Sequence, residues 1–490
     1  MNKLCIILLI VNCQLSIINS FAQADPPLRI ELESAKDQQD YKFVSLGEKG
    51  VAVFYQSAIL SVDTAQWILI HYDTNLVKIN LYKLKIPNLC QYRAADYSNN
   101  KLNLFLQKPA HKKDTLRNYL LEWNVMTEDF QLIELQNYKH PFVSSIKVMQ
   151  EYLFITVHDP KAMSIIYYNL KTHTKQAIQF TEDEIISVES FGIDTALKRT
   201  FFCMFLKNKQ GSRAELFTTD FSGNIKERTT LPFYPDLIYN STKISLVGKD
   251  SLLLCGGYFL SRDKKPKGGF TGIYTLLFVK NRFSEMNTHP FGAVLADDTG
   301  LKTMQFSEAN LTMNMHVTQS NGHTFAITEL FYPEYQYNTS SPYRGYRYYG
   351  YDSPTQIFAG FRFVSAYILE FNPQGQLVNS LVFPMHNVLT KSLYNLVNLY
   401  QDIEENTLIY YVFVNEITSQ LVNKKQVLAP QTAIPIELMS SADVLEYSTN
   451  LSMRQWYDNI FLLSGYQYIK NARRGKSKRY VFFINKLICE

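Results

Sequence analysis

Glycine, charge and long apolar runs are all scarce in this chain, and each shortage narrows the reading. Only 20 of the 490 residues are Gly, against an average usage of about 7%. Tight turns must then be made largely by Asn, Asp and Ser, whose side chains cap turns and which tolerate positive φ. Charged residues reach only 19%, below the roughly 25% of an average domain. The formal net charge is +5, or +4 once Lys3 is lost with the N-terminal leader described below. That excess is too small to imply nucleic acid or an anionic membrane as partner.

Beyond the first two dozen residues, no segment approaches 18 uninterrupted apolar residues, so no transmembrane helix is expected in the mature chain. Catalytic signatures are missing as well. No two of the nine His residues show the i, i+4 spacing of a zinc protease. There is no Gly-x-Ser-x-Gly elbow and no phosphate-cradling Gly loop. Neither a metal nor another cofactor is called for, and the chain leans towards a non-catalytic role.

What is abundant is Tyr and Phe, 33 and 32 residues, large half-buried side chains that suit pleated surfaces. They recur in one theme: an aromatic strand, an Asx-rich turn and a return strand. It is read at Tyr72-Asp73-Thr74-Asn75, Trp123-Asn124, Tyr168-Asn169, Asp220-Phe221-Ser222-Gly223-Asn224 and Phe371-Asn372-Pro373-Gln374-Gly375. Repetition on this scale predicts an all-β fold, a β-propeller of about eight four-stranded blades. Inner strand pairs are expected at 41–57, 90–108, 142–159, 186–207, 238–259, 314–336, 393–415 and 455–471. Outer hairpins fall near 66–87, 118–138, 164–183, 214–234, 272–291, 365–385 and 434–449. The last of these is weak, so seven blades remain an alternative.

The eighth outer hairpin is incomplete, since 479–489 supplies one strand and then the chain stops. Leu28-Arg29-Ile30-Glu31-Leu32-Glu33 alternates apolar and polar residues and can fill the empty place, closing the ring by pairing the two terminal strands. Residues 391–403 carry Leu393, Leu396, Val397 and Tyr400 at helical spacing, read as one short helix or a mis-set strand.

Residues 1–22 read as a signal peptide: Lys3, the apolar Leu4–Val11, then cleavage after Ala22 or after Ala24. Residues 25–490 form a single propeller domain with a Tyr-rich loop insertion at about 333–360. Cys13 lacks the small preceding residue that lipid attachment wants. Cys90, Cys203, Cys255 and Cys489 lie far apart in apolar runs and are expected as buried free thiols, with disulfides as the alternative.

With the leader ending Ser20-Phe21-Ala22-Gln23, the strand Ala366–Asn372, Gly465–Lys470 and Phe482–Lys486, the chain resembles the uncharacterised exported β-propeller proteins of Gram-negative bacteria. That resemblance implies architecture and export, and no activity. The Gly-His…Trp-Asp pair of WD repeats, the paired Gly of kelch repeats and the Asp box of sialidases are all missing.

The strongest candidate site is Tyr343, Arg344, Tyr346, Arg347, Tyr348, Tyr349 and Tyr351, punctuated by Gly345 and Gly350. Tyrosine offers a flat apolar face and a hydroxyl, suited to sugar rings and protein interfaces. The alternative is a loop packed over its own blade. Lys264–Gly269 and Arg473–Arg479 are short basic turns, either solvated or able to touch anionic groups. His316 and His323 flank the Asn321-Gly322 turn and could share a metal. Glu182-Asp183-Glu184 and Asp297-Asp298 lack a calcium-loop pattern.

Two functions compete. One is a non-catalytic scaffold in the cell envelope, periplasmic, outer-membrane-associated or surface-exposed, whose partner is another envelope protein. The other is a glycan-binding or carbohydrate-active propeller with its ligand at the funnel end, which needs acidic residues from several blades to converge. A structural envelope component is a third reading. A chain ending inside a strand favours the periplasm.

Overall fold

Asx side chains close the turns that the repeat marks. Asp73 Oδ1 accepts from the N–H groups of Asn75 and Val77, both at 2.8 Å. Asn124, Asn169, Asp220 and Asn372 each accept two backbone N–H groups in the same way. Each joins the third strand of a blade to its fourth, so the scarcity of Gly is met by side-chain caps.

The computed structural model describes residues 28–34, 40–110, 116–135, 143–159, 162–178, 184–208, 211–232, 234–239, 242–248, 250–260, 270–291, 310–317, 322–338, 355–424, 426–471 and 478–489. They form eight antiparallel sheets; in seven the strands follow one another along the chain, and the eighth joins the last three strands to the first. Blade 1 holds Lys42–Ser45, Val51–Ile59, Thr64–Tyr72 and Lys78–Pro87. Blade 2 holds Gln91–Ser98, Lys101–Lys108, Arg117–Asn124 and Phe130–Glu134. Blade 3 holds Val143–Met149, Tyr152–Asp159, Ala162–Asn169 and Lys175–Ala177. Blade 4 holds Glu184–Asp194, Arg199–Asn208, Gly211–Asp220 and Ile225–Thr230.

Blade 5 is built on Lys243–Gly248, Ser251–Leu260 and Gly272–Val279. Three short strands, Leu237–Tyr239, Arg282–Phe283 and Asn287–Pro290, complete its two edges. Blade 6 holds Asn310–Val317, Thr324–Asn338, Thr355–Phe371 and Leu377–Thr390. Blade 7 holds Asn398–Gln401, Asn406–Phe413, Glu416–Asn423 and Gln426–Pro435. Blade 8 holds Asp443–Tyr457, Ile460–Asn471 and Lys478–Ile488, and takes Arg29–Glu33 as its fourth strand.

The count is therefore eight, and two boundaries need correction. The hairpin expected at 434–449 does not form: the outer pair of blade 7 is Glu416–Asn423 with Gln426–Pro435, and Asp443–Tyr457 already opens blade 8. The helical spacing in 391–403 does not make a helix. Leu396 and Val397 are buried while Leu393 and Tyr394 face solvent, because this is the link between blades. The buried Glu329 Oε1 accepts from the N–H groups of Leu396 and Val397 at 2.7 and 2.5 Å.

The core is repeated rather than single. Eight apolar clusters each lie between two adjacent blades, from Phe54 against Leu104 to Val53 against Phe482. Second strands covered on both faces lose their alternation, as in Asn406–Phe413, while the outermost Lys78–Pro87 keeps it.

Closure follows the expected terminal pairing, with Arg29 opposite Asn485 and Glu33 opposite Val481. Arg29 is fully buried there and donates to Glu31 at 2.8 Å, Asn485 at 3.0 Å, Gln467 at 2.6 Å and the Glu437 carbonyl at 3.1 Å. Its guanidinium also lies 4.4 Å above the Phe483 ring.

Candidate functional site

Strand direction alternates within a blade, so connections between second and third strands share one end of the ring with the links between blades. The Tyr-rich segment, Lys264–Gly269 and 473–477 all connect a second strand to a third, in blades 6, 5 and 8. The sequence scatters these segments over more than two hundred residues, and the topology brings the strands that flank them to one end.

Tyr343, Arg344, Tyr346, Arg347, Tyr348, Tyr349 and Tyr351 lie outside the described residues, and so do Lys264–Gly269, Asp297 and Asp298. What the structure describes is the stem beneath the tyrosines. The segment expected as a loop insertion at about 333–360 is strand at both ends. The second and third strands of blade 6 run 15 and 17 residues, against 8–10 for their counterparts in blades 1–5 and 7. They remain in register out to Asn338 opposite Thr355.

This stem is a two-stranded arm. The first strand of blade 6 pairs only as far as Phe331, and the fourth only as far as Phe361. Beyond those points Tyr332–Asn338 pair with Thr355–Arg362, and no other strand among the described residues covers the outer edge of Tyr332–Asn338 or of Thr355–Gly360. Seven residues at about 3.3 Å each give an arm of about 20 Å.

A bulge at Ala359 puts Gly360 against Thr390, where a Cβ would sit 2.5 Å from the carbonyl oxygen at φ +152°. Lys391 Nζ donates to the Ala359 carbonyl at 2.7 Å and ties the base down. On one face, rings descend from solvent into the core: Tyr335 to Phe358 at 5.8 Å, Phe358 to Phe361 at 5.1 Å, Phe361 to Phe331 at 5.7 Å. Across the strands Arg362 forks onto Glu334 at 2.6 and 3.0 Å, and that hydrogen bonding holds the Glu334 carboxyl below its usual range. Tyr332, Tyr335, Ile357 and Phe358 stay exposed. The alternation of Tyr335-Gln336-Tyr337 is the one sequence signal for strand within the expected loop, and Ile357 and Phe358, beyond the tyrosines, carry no motif.

The remaining candidates resolve differently. Arg479 belongs to the closure, paired with Glu31 at 3.0 Å and with Asp443, so its charge is spent inside blade 8. His323 Nδ1 lies 2.6 Å from Glu370, while His316 is paired in register with Phe325. Among the described residues no three His, Cys, Asp or Glu gather to hold a metal ion. Glu182 and Asp183 lie outside the described residues, and Glu184 opens the first strand of blade 4. Cys90, Cys203 and Cys255 are buried free thiols and Cys489 is half-buried.

Two of the larger clefts lie between blades. One of about 580 Å³ lies between blades 7 and 8 on the end opposite the arm, with Asp402, Glu404 and Asp458 on its wall. Asp402 is committed to its own turn, accepting from the N–H groups of Glu404 and Asn406 at 2.8 Å. The other, of about 670 Å³, lies between blades 1 and 2 on the arm's end.

No known protein family matches the chain, and no curated protein does. Among solved structures it is similar to the polysaccharide lyase Uly1, at 10% identity over 83% of this chain and 91% of that one, with a TM-score of 0.45. It is also similar to the Dos1 propeller, at 9% identity over 82% and 92%, with a TM-score of 0.40. A third likeness is to the propeller domain of the Trilobed protease from Pyrococcus furiosus, at 10% identity over 81% and 93%, with a TM-score of 0.36. Overlap this loose carries no activity across to this chain.

Proposed function

We propose that the chain is an exported, non-catalytic propeller whose blade 6 arm holds a partner protein of the cell envelope. The arm carries this reading. Unpaired strand edges are templates for a further strand, and soluble proteins ordinarily blunt or cover them. Here the edges come with Tyr332, Tyr335, Ile357 and Phe358 exposed on about 20 Å of ribbon. Aromatic anchors of that kind dominate binding energy at protein interfaces. Export rests on the leader-like residues 1–22, and the rigid ring is the platform that keeps the arm in place.

The test is site-specific photocrosslinking from position 335 or 358 in cells producing the full chain, combined with deletion of 340–352. One partner captured from both positions, in fixed ratio and lost on deletion, is the expected result. Capture that is absent, or that is unchanged when Tyr335 and Phe358 are replaced by Ala and 340–352 is removed, overturns the reading.

A further inference from the structure

The cleft between blades 1 and 2 has the size and chemistry of a small-molecule site. Its volume of about 670 Å³ falls within the 300–1,000 Å³ typical of ligand pockets. Asp40 and Lys42 enter it from the start of blade 1, Gln56 from the end of that blade's second strand, and Tyr92 and Arg93 from the start of blade 2. Trp67, nearly buried, lies beneath them.

Two of its walls depart from regular pairing at the cleft. Gln56 pairs with Trp67 and Ala58 with Gln66, which leaves Ser57 as an extra residue. Tyr92 pairs with Leu106 and Ala94 with Phe105, which leaves Arg93 extra. A bulge of this kind bends a strand and re-aims the side chain it carries. Arg93 is then held from behind. Its Nε donates to Gln107 Oε1 at 3.1 Å, and Gln107 Nε2 donates to Asn118 Oδ1 at 2.9 Å. Both amides are essentially fully buried. With Nε committed, the two Nη groups of Arg93 have no protein partner among the described residues, and the side chain itself is exposed.

Tyr92 is fixed as well. The Phe54 ring meets it edge-on at 5.1 Å and 67°, and burial pushes its hydroxyl pKa up, so the ring is neutral. The remaining ion pair, Lys42 to Asp40 at 2.8 Å, has side chains 40% and 76% exposed. Pairs that open to solvent are weak and readily exchange partners.

A fixed aromatic ring, amide and hydroxyl hydrogen-bonding groups, and a pre-set guanidinium fork are what a sugar acid needs. Lys42 and Arg93 outnumber Asp40, so the wall carries one net positive charge. A neutral sugar leaves that charge unmatched, and a lipid leaves the polar wall unsatisfied. We propose that this cleft binds a short acidic saccharide, with the Arg93 fork taking a uronate carboxylate and Tyr92 packing on a sugar face. The proposal stands on residues of blades 1 and 2 and is independent of the arm.

The test is calorimetric titration of the full chain with tetragalacturonate and, separately, with neutral maltotetraose. The expected result is saturable binding of tetragalacturonate alone, weakened about tenfold or more by Arg93→Gln, as loss of a charged bidentate contact implies. Arg93→Lys keeps the charge without the fork and should recover only part of the affinity. Both variants should stay folded, with a modest fall in thermal midpoint because the buried Gln107 oxygen loses its Arg93 donor, and Tyr335→Ala in the arm should leave titration unchanged. Equal binding of the two saccharides, indifference to Arg93→Gln, or no saturation with tetragalacturonate up to about 10 mM would overturn it.

Discussion

The indole Nε1 of Trp456 donates to the Gly50 carbonyl at 3.2 Å, bonding the first strand of the last blade to the opening turn of the first. Gly50 sits at φ +101°, and a Cβ there would lie 1.9 Å from the Tyr72 carbonyl oxygen. Gly50→Ala must therefore move backbone that both blades use. A loss of about 2 kcal/mol or more is expected from strain and displacement together, seen as a lowered thermal midpoint. Trp456→Phe removes the hydrogen bond and leaves a smaller ring in a buried place, and should cost about 1–3 kcal/mol.

Closure depends on Arg29 in a second way. Replacing it with Ala leaves the Gln467 and Asn485 side-chain oxygens without their donor in the blade 8 sheet. Breaking a buried charged network from one side typically costs about 3–5 kcal/mol. Arg29→Ala should lower the thermal midpoint more than Lys42→Ala, whose pair with Asp40 is exposed. Deleting 29–33 should go further, uncovering an edge of Lys478–Ile488 and driving self-association visible by size-exclusion chromatography. A monomeric deletion variant with the parent's midpoint would contradict this account of closure.

The architecture was legible because its signals are local. Asx turns such as Asp73 and Asn372 mark strand exchange within a few residues, and Arg29–Glu33 shows a plain two-residue period. Blade 7 was misread where signals conflict: Gln426–Pro435 contains two prolines and little apolar alternation, and Leu396–Val397 falls at helical spacing in a link between blades. The site was less legible for a different reason. Arg93, Gln107 and Asn118 meet through a bulge and sheet pairing, and neither leaves a motif in sequence. The tyrosines drew attention by composition, yet what makes the arm distinctive is the length of its strands and their uncovered edges.

Exposure of the arm makes a separable prediction. Tyr335 is 48% and Phe358 39% exposed, so truncating either to Ala should leave the unfolding free energy within about 0.5 kcal/mol of the parent. Phe331 and Phe363, at 5% and 1% exposure, carry the same face into the core, and either one replaced by Ala should cost about 3–5 kcal/mol. The contrast can be read from chemical denaturation of the four single variants. If the outer pair proves as costly as the inner pair, the arm is packing rather than interface.

The thiols should divide by burial. Burial pushes Cys90 and Cys255 up to about 12 and Cys489 up to about 11. A thiol reagent reacts through the thiolate, so folded protein lacking residues 1–22 should react slowly, with half-buried Cys489 first. Denaturation should release all four thiols at once. Fewer than four in denaturant without reductant would mean that a disulfide forms in solution.

His289 supplies the pH dependence. It packs 5.2 Å from the Phe371 ring, joining blade 5 to blade 6, and its Nε2 is buried without a hydrogen-bond partner. Burial lowers its pKa below the ordinary 6.5, with the Gly375 backbone partly opposing the shift. The unfolded chain therefore takes up this proton first as pH falls, and the folded form must either stay neutral or bury a charge. Stability contributed by the neutral ring is complete above about pH 6.5 and declines as pH drops towards the lowered folded value. His289→Gln removes this titration, so its midpoint should fall less than the parent's between pH 7 and 5. Parallel pH profiles for the two proteins would show that His289 is solvated, and that the seam between blades 5 and 6 admits water at the ring.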